Sequence, residues 1–534
     1  MRIYNKWIDN HFYIKINNTL KNIYIFEEEL DSNELVDRVD FKNNTLNQYG
    51  LFISGKPYLL DKERLIDEVF IKQKYDYLST IKGDFLIIMF DKEKIIVFNS
   101  LESQNELFWL YENGWLKISP YHYKIDESID ENNLGLLCYG EGINIFKNIK
   151  VLKRGQLLTL KKNSSVCISS VETQPINSSV LCNMGLFELS EITYELIKNS
   201  IKRKICNRKN IGVMLSGGID SSVIARVLYD LNVNATFITW ASTNSLPDES
   251  KYADELCKKL GYKTNKIFVD SDIDLLPKMK AKYFPYTHSV SSWWESACLF
   301  AKSQNIDILL SGQFAGFFDD SFSLKKCTTR KEMLTNMIHA YSNPWFNENI
   351  FKKDKKNNIY DASNVFRKMD VFTEKSQETI IHYINRSDFD EFKMRTQEYS
   401  YKLNLFEPNE IYHDTPYLDI DIISFTKALP QEAKNCYCDG QNINKILLRY
   451  AMIGKIPHDI ISRNYSANLS YMTQKNLLDF LKSNNNYFDS NSILVRKGIL
   501  NVDNINDIIS SKNKIQSNSM LSIAILIEDW LRRM

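Results

Sequence analysis

The stretch Ile211-Gly212-Val213-Met214-Leu215-Ser216-Gly217-Gly218-Ile219-Asp220-Ser221-Ser222 decides how the rest of this chain is read. It opens on an apolar run, turns at two glycines and leads into Val223–Tyr229, a segment with helical spacing. That order predicts a buried strand, a glycine turn and a helix N-terminus. At such a junction Gly217 and Gly218 let the backbone approach an anion without Cβ interference. The helix start adds free N–H groups and the positive end of its dipole. Ser216, Ser221 and Ser222 supply hydroxyl donors, and Asp220 supplies a carboxylate for magnesium held against the same phosphates. The run lacks the Gly-Lys-Ser/Thr ending of the Walker loop and the Gly-x-Gly-x-x-Gly of dinucleotide sites. The competing reading is an ordinary strand-to-helix turn capped by serine.

Outward from that loop, strands and helices alternate. A helical stripe (Leu186, Leu189, Ile192, Leu196, Ile197, Ile201) precedes it. Strands are expected at Ala235–Trp240, Asn265–Val269 and Ile306–Leu310, with helices at Asp248–Leu260 and Trp293–Ala301. Alternation of this length implies right-handed βαβ units and a parallel sheet covered on both faces. Ligands bind such sheets beyond the carboxyl ends of the strands. Leu215-Ser216, the Phe237–Trp240 run with Thr239, and Ser311-Gly312 fall at those ends, which predicts a nucleotide pocket walled by three strand ends. After residue 325 the chain reads as largely helical, with core stripes at Leu477, Leu478 and Leu481 and at Ile523, Leu526, Ile527 and Leu531.

Residues 1–160 read mostly as strands: Phe12–Ile16, Ile23–Glu27, Asp84–Asp91 and Ile95–Ser100 are short and rich in β-formers. Leu107–Tyr111 and Trp115–Ser119 flank Glu112-Asn113-Gly114, a hairpin signal because Asn-Gly accepts the positive φ of a tight turn. Tyr58–Tyr75 and Glu131–Leu137 look helical, and the Ser- and Asn-rich residues 161–185 read as a linker.

Composition narrows the partners. The 67 Lys+Arg balance 66 Asp+Glu, so nothing asks for nucleic acid or a lipid surface. No apolar run approaches the ~20 residues of a membrane span, and no secretory segment follows the start. The nine cysteines, spread from Cys138 to Cys438, form no framework, which points to a reducing cytoplasm. Cys436-Tyr437-Cys438 lacks the second ligand pair of a zinc site.

Ser216-Gly217-Gly218-Ile219-Asp220-Ser221-Ser222 resembles the pyrophosphatase loop of enzymes that adenylate a carboxylate, such as asparagine synthetase. The resemblance continues in order. Asp248-Glu249-Ser250-Lys251-Tyr252-Ala253 with Leu260-Gly261 follows the second strand. Pro416-Tyr417-Leu418-Asp419 is similar to Pro-Phe-Leu-Asp. Lys445-Ile446-Leu447-Leu448-Arg449, then Ile456-Pro457 and Arg463, is similar to Lys-x-x-Leu-Arg…Leu-Pro…Arg. Gly83-Asp84-Phe85 and Lys147–Thr159 resemble the glutaminase domain of the same enzymes. The resemblance implies an α/β protein of two parts. One is an αββα-type glutaminase-like domain at 1–160. The other, after the linker, is an adenine-nucleotide α-hydrolase-like synthetase domain at 186–534, with a parallel sheet and a helical C-terminal part. It implies ATP and Mg2+ as cofactors, with Leu215–Gly218, Asp220–Ser222, Thr239, Ser311 and Gly312 around the nucleotide.

The departures from that pattern bear on function. The family's glutaminase uses a cysteine at the mature N-terminus as nucleophile; here residue 2 is Arg2, so glutamine hydrolysis is not expected and the domain becomes a scaffold or binding surface. With that change, Ser292-Trp293-Trp294-Glu295-Ser296 looks most like the cyclases of lasso peptides, which adenylate an acidic side chain for attack by the peptide's own N-terminal amine. Trp293 and Trp294 read equally well as core. After the fourth strand the family has Ser/Thr-Gly-x-Gly-x-Asp, and Gly316 stands where that second magnesium ligand belongs. Asp319 and Asp320 follow about a helical turn late, as a rebuilt metal site or as surface charge. The family's lysine after Arg463 is missing from Asn464-Tyr465-Ser466-Ala467, which leaves Arg463 or Lys455 to take its place. The expected function is therefore ATP-dependent isopeptide formation on a precursor peptide, with a leader-peptide protease or recognition protein as a further partner. The alternatives are a non-catalytic nucleotide- or peptide-binding subunit, and a small-molecule amide ligase of the β-lactam synthetase or asparagine synthetase kind.

Overall fold

A computed structural model describes the chain apart from residues 1, 9–11, 18–21, 28–34, 41–47, 121–127, 139–144, 244–247, 270–273, 320–370, 385–395, 439–440, 464–475 and 511–518, and single positions 59, 106, 283, 289, 478, 482 and 485. In the first part, apolar runs pair into two six-stranded sheets. One contains β1 (Arg2–Ile8), β5 (Gln48–Gly55), β6 (Phe85–Phe90), β7 (Lys94–Asn99), β11 (Gln156–Lys161) and β12 (Val166–Ser170), in the order β1-β5-β6-β7-β11-β12. The other contains β2 (Phe12–Asn17), β3 (Asn22–Glu27), β4 (Leu35–Asp40), β8 (Leu107–Glu112), β9 (Trp115–Ser119) and β10 (Lys150–Leu152), in the order β10-β8-β9-β2-β3-β4.

Side-chain alternation then sets the layers. Phe52, Ile88 and Val97 of the first sheet meet Trp109, Leu116 and Ile118 of the second. The first sheet's other face, with Ile53, Ile87 and Phe98, packs on Leu65, Val69 and Leu78 from helical turns between 62 and 80. Phe108 and Leu110, on the second sheet's other face, pack on Leu134 and Leu137 of the helix Glu131–Cys138. The result is helix, sheet, sheet, helix. The β8–β9 hairpin closes as Glu112↔Trp115, with Asn113 and Gly114 at φ 49° and 74°.

Residues 161–185 differ from the linker expected. Val166–Ser170 is a strand paired antiparallel with β11, and Ser178–Cys182 is a short helix capped by Asn177, whose Oδ1 accepts from Ser179 N at 3.1 Å. The strand lies at the edge of its sheet and is largely exposed, so its sequence carries no apolar alternation that would have revealed it.

The second part holds five parallel strands: β13 (Ile211–Met214), β14 (Ala235–Ala241), β15 (Thr264–Phe268), β16 (Ile308–Leu310) and β17 (Tyr412–Asp414). Their spatial order is β15-β14-β13-β16-β17. In chain order within this sheet that is 3-2-1-4-5, so the winding reverses between β13 and β16 and a crevice opens at their carboxyl ends. Helices Leu186–Ile205, Ile219–Asp230, Ser250–Leu260 and Ser291–Ser303 cover the faces.

One continuous apolar cluster runs from Phe108 and Leu134 through Trp293 and Tyr399 to Leu526 and Trp530 on the helix Ser519–Leu531. Polar groups join the two parts as well. Gln104 Nε2 donates to Asp414 Oδ1 at 3.0 Å, and Lys402 pairs with Asp84 at 3.3 Å. The buried Glu102 accepts from Gly83 N and from Ile420 N, at 3.0 and 2.9 Å. Burial, with the Asp419 charge nearby, pushes the Glu102 carboxyl up to about 8. No helix among the described residues is long and apolar enough to cross a membrane.

Candidate active site

The loop after β13 is held by its own hydroxyls. Ser221 Oγ accepts from Ser216 N at 3.1 Å and lies 3.1 Å from Ser216 Oγ. Gly217 takes φ 73°, and a Cβ there would sit 2.8 Å from Tyr252 Cβ and 3.0 Å from the Glu249 carbonyl, so glycine is required for both reasons. Gly218 caps the helix Ile219–Asp230, which places Asp220 in its first turn. Tyr417, from Pro416-Tyr417-Leu418-Asp419, is fully buried and donates to the Asp220 carbonyl at 2.7 Å. That motif therefore braces the Ser216–Ser222 loop from below.

The loop after β16 closes on it. A Cβ at Gly312 would lie 3.0 Å from both Asp220 Cβ and Ser221 N. Behind it, His413 Nε2 lies 3.1 Å from Ser311 Oγ, and its ring stacks on Phe406 at 4.6 Å. Burial, aided by the Lys402 charge, pushes the His413 imidazole down to about 3, so it stays neutral. Phe314 stands where the family's second glycine belongs and keeps a left-handed φ of 63°, a conformation that costs a side chain about 1 kcal/mol or more. Its ring is packed under the Arg154 guanidinium at 5.3 Å, a contact reaching across from the first part of the chain.

Between these loops lies a cavity of about 410 Å³. Of the expected nucleotide residues, Leu215, Ser216, Asp220, Ser221, Thr239, Ser311 and Gly312 line it. Gly217 and Gly218 shape the turn without lining the cavity, and Ser222 is fully buried beneath it, so its hydroxyl is not offered to a ligand. Met214, Ile238, Trp240 and Trp294 supply apolar wall. The two tryptophans of Ser292–Ser296 separate here: Trp293 packs in the core, while Trp294 faces the cavity, edge-on to Trp240 at 5.3 Å. Glu295 is structural and accepts the Lys278 N–H at 2.9 Å.

The expected cations divide. Arg463 Nη2 pairs with Glu249 Oε1 at 2.9 Å, and its guanidinium lies over Tyr252 at 4.5 Å, behind the turn at Gly218 and off the cavity wall. Lys455 is not in the site: its Nζ sits 4.1 Å over the Tyr194 ring and 3.9 Å from Glu191, on the helix Leu186–Ile205. Among the described residues, the cation that lines the cavity is Lys445, whose Nζ contacts Asp220 Oδ2 at 2.7 Å. The sequence had offered Lys445 only as part of a motif, because nothing in its spacing tells which of several lysines faces the pocket. Arg449 of the same motif is a brace, donating to Asn444 O, Asn444 Oδ1, Ile461 O and Arg463 O.

Magnesium is tested by the donors present. Asp220 Oδ1 is buried with no hydrogen-bond partner among the described residues, a cost that a cation would relieve. Asp319 lines the cavity but accepts from Asn444 Nδ2 at 3.1 Å, and Asp320 lies outside the described residues. No group of three or more acidic, His or Cys side chains able to hold a metal occurs among the described residues. Asp220 is thus the residue that would hold the metal, supplying a carboxylate oxygen to it.

Residues 193–318 match the family described as asparagine synthase. No curated protein matches the chain in sequence. Among solved structures, NMN synthetase from Francisella tularensis is 14% identical, with a TM-score of 0.20 over 39% of this chain and 95% of that one. The NH3-dependent NAD synthetase from Campylobacter jejuni is 13% identical, with a TM-score of 0.19 over 41% and 96%. The U34-tRNA thiolase from Methanococcus maripaludis is 12% identical, with a TM-score of 0.26 over 59% and 80%. Superpositions this loose carry no argument about chemistry, which rests on the family match and the loop geometry. The match to the asparagine synthase family over residues 193–318 supports an ATP-dependent carbon–nitrogen ligase that yields AMP and pyrophosphate.

Proposed function

We propose that the protein closes an amide bond within a ribosomal peptide, activating an Asp or Glu side chain for the peptide's N-terminal amine. The observation that carries this reading is Trp294, which places the Ser292–Ser296 segment's aromatic ring on the wall of the cavity that holds the phosphate loop. An apolar, aromatic wall beside a nucleotide site suits a peptide segment better than a free amino acid. The substrate carboxylate attacks the α-phosphorus of ATP, the bond to the pyrophosphate oxygen breaks, and pyrophosphate leaves. The amine then attacks the acyl carbon, loses its proton and expels AMP. Ser216 and Ser221 hold phosphate oxygens, and Trp240, Trp294 and Phe314 keep water from the activated acyl group. Magnesium, held by Asp220, would neutralise pyrophosphate charge.

The test is incubation with ATP, magnesium and candidate acidic peptides that carry a free N-terminus, alongside free acidic amino acids with ammonia, followed by mass spectrometry. Loss of one water, with an isopeptide link between the N-terminus and a side chain, is expected. A linear peptide alongside amidated free amino acid would move the assignment to a small-molecule ligase. A second reading, a nucleotide-binding subunit without turnover, is favoured by Gly316 and by Asp319 being taken up by Asn444. Tight ATP binding with no product from any acidic peptide would support it.

A further inference from the structure

We propose that the turn Glu102-Ser103-Gln104 of the first part is a positioning device for the nucleotide site, setting the segment Asp414–Ile420 on which both loops of the cavity hang; the inference rests on the adenylating activity proposed above. Every described residue that lines the cavity lies between Met214 and Lys445, so the first part contributes none of that wall. Its hold on the site is one step removed.

Residues 414–420 carry the two loops. Ser311 N donates to the Asp414 carbonyl at 3.0 Å, and Thr415 Oγ1 donates to the Gln313 carbonyl at 2.5 Å, which fixes the loop after β16. Tyr417 Oη donates to the Asp220 carbonyl at 2.7 Å, which fixes the loop after β13. One short stretch therefore sets the spacing between them.

The turn grips that stretch at both ends. At the first, Gln104 Nε2 donates to Asp414 Oδ1 at 3.0 Å, beside Lys204 Nζ at 2.9 Å and Thr415 N at 2.7 Å. Asp414 Oδ2 is buried with no hydrogen-bond partner among the described residues, so the carboxylate is oriented through one oxygen and turns when a donor there is lost. At the second, Glu102 Oε1 accepts from Ile420 N at 2.9 Å. That N–H opens the helix Ile420–Ala428 and has no acceptor within it. Glu102 Oε2 accepts from Gly83 N at 3.0 Å and the side chain is buried, so one carboxylate ties the backbones of the two parts together. Arg154, also from the first part, lies 5.3 Å over the ring of Phe314, which lines the cavity. Cohesion alone is served by the apolar cluster that joins the parts; these polar contacts land instead on the segment and the loop that shape the site.

Calorimetric titration of the full-length protein with ATP and magnesium chloride, below the melting temperature of every variant, tests the role. Glu102→Gln leaves one of its two N–H groups without an acceptor, and Gln104→Leu removes one donor from Asp414. Each should weaken ATP binding about two- to thirtyfold, the range for changes along a coupled network. Gln104→Leu carries the test if Glu102→Gln fails to melt cooperatively, because Lys204 and Thr415 still reach Asp414 Oδ1. The control is Ile88→Val, a core change between the first part's own sheets, which lowers stability without touching residues 414–420 and should leave ATP affinity unchanged. Gln104→Leu combined with Tyr417→Phe should weaken ATP by less than the product of the single effects, since both act on one segment. Unchanged ATP affinity in the turn variants, an equal loss in Ile88→Val, or fully multiplicative effects with Tyr417→Phe overturns the positioning role and leaves the ligase reading intact. A wild-type protein that binds no ATP overturns both.

Discussion

Replacing Gly312 by alanine tests whether the loops after β13 and β16 form one nucleotide site. The new Cβ would lie 3.0 Å from Asp220 Cβ, 3.0 Å from Ser221 N and 3.3 Å from Asp220 C. These atoms cannot swing aside as a long side chain would. They belong to the first turn of a helix, held by Ser222 N donating to Gly218 O at 3.1 Å and by Tyr417 on the Asp220 carbonyl. Relief must come from parting the two loops by a few tenths of an ångström. Overpacking of this kind costs about 1–3 kcal/mol of stability, and misplacing the reacting groups by up to ~1 Å costs on the order of a hundredfold in turnover. The control is Gly316→Ala in the same segment, where no heavy atom lies within 4 Å of the added methyl group. Thermal unfolding and ATP–pyrophosphate exchange on both variants give the comparison. Gly312→Ala with wild-type exchange and ATP affinity would refute the claim that the two strand ends share one ligand.

Other substitutions probe charge. Asp220→Asn strands Lys445 in a pair that is 29% and 17% exposed, so stability should fall by about 1 kcal/mol or less while turnover drops on the order of a hundredfold or more; near-normal turnover means the phosphates are held elsewhere. Gly316→Asp has open space for its side chain and should lower the magnesium concentration needed for half-maximal activity, on the order of tenfold; an unchanged requirement means the position does not face the metal. His413 is held neutral by a folded-state value near 3 against an ordinary 6.5, so its contribution is full above 6.5 and is lost as pH falls toward 3. Chemical denaturation should show wild type losing on the order of 4 kcal/mol more than His413→Phe across that window, and parallel profiles would remove His413 as the cause.

Much of the fold was legible because periodicity reports burial. β13, β14, β15 and β16 lie close to where apolar runs placed them, as does the Asn113-Gly114 hairpin. β17 escaped because it is three residues long and sits at the far edge of its sheet, with no run to betray it. The helix expected over Tyr58–Tyr75 survives only as Lys62–Leu65 and a wider turn over Ile66–Ile71. In the site, the glycine-turn motif located the cavity, and Gly217 is required there by its positive φ and by close approach. Which cation faces inward was not legible, since Lys445, Lys455 and Arg463 differ in direction rather than in type. Ser222 shows the same limit: one place along the first helical turn carries its hydroxyl from the ligand side to the core.

The central claim, adenylation at the loop Ser216–Ser222, is tested most directly by the nucleotide product formed from ATP labelled at the α-phosphate. With magnesium and an acidic precursor peptide, the account predicts labelled AMP in step with cyclised peptide, and none with Asp220→Asn. Labelled ADP as the product would contradict it.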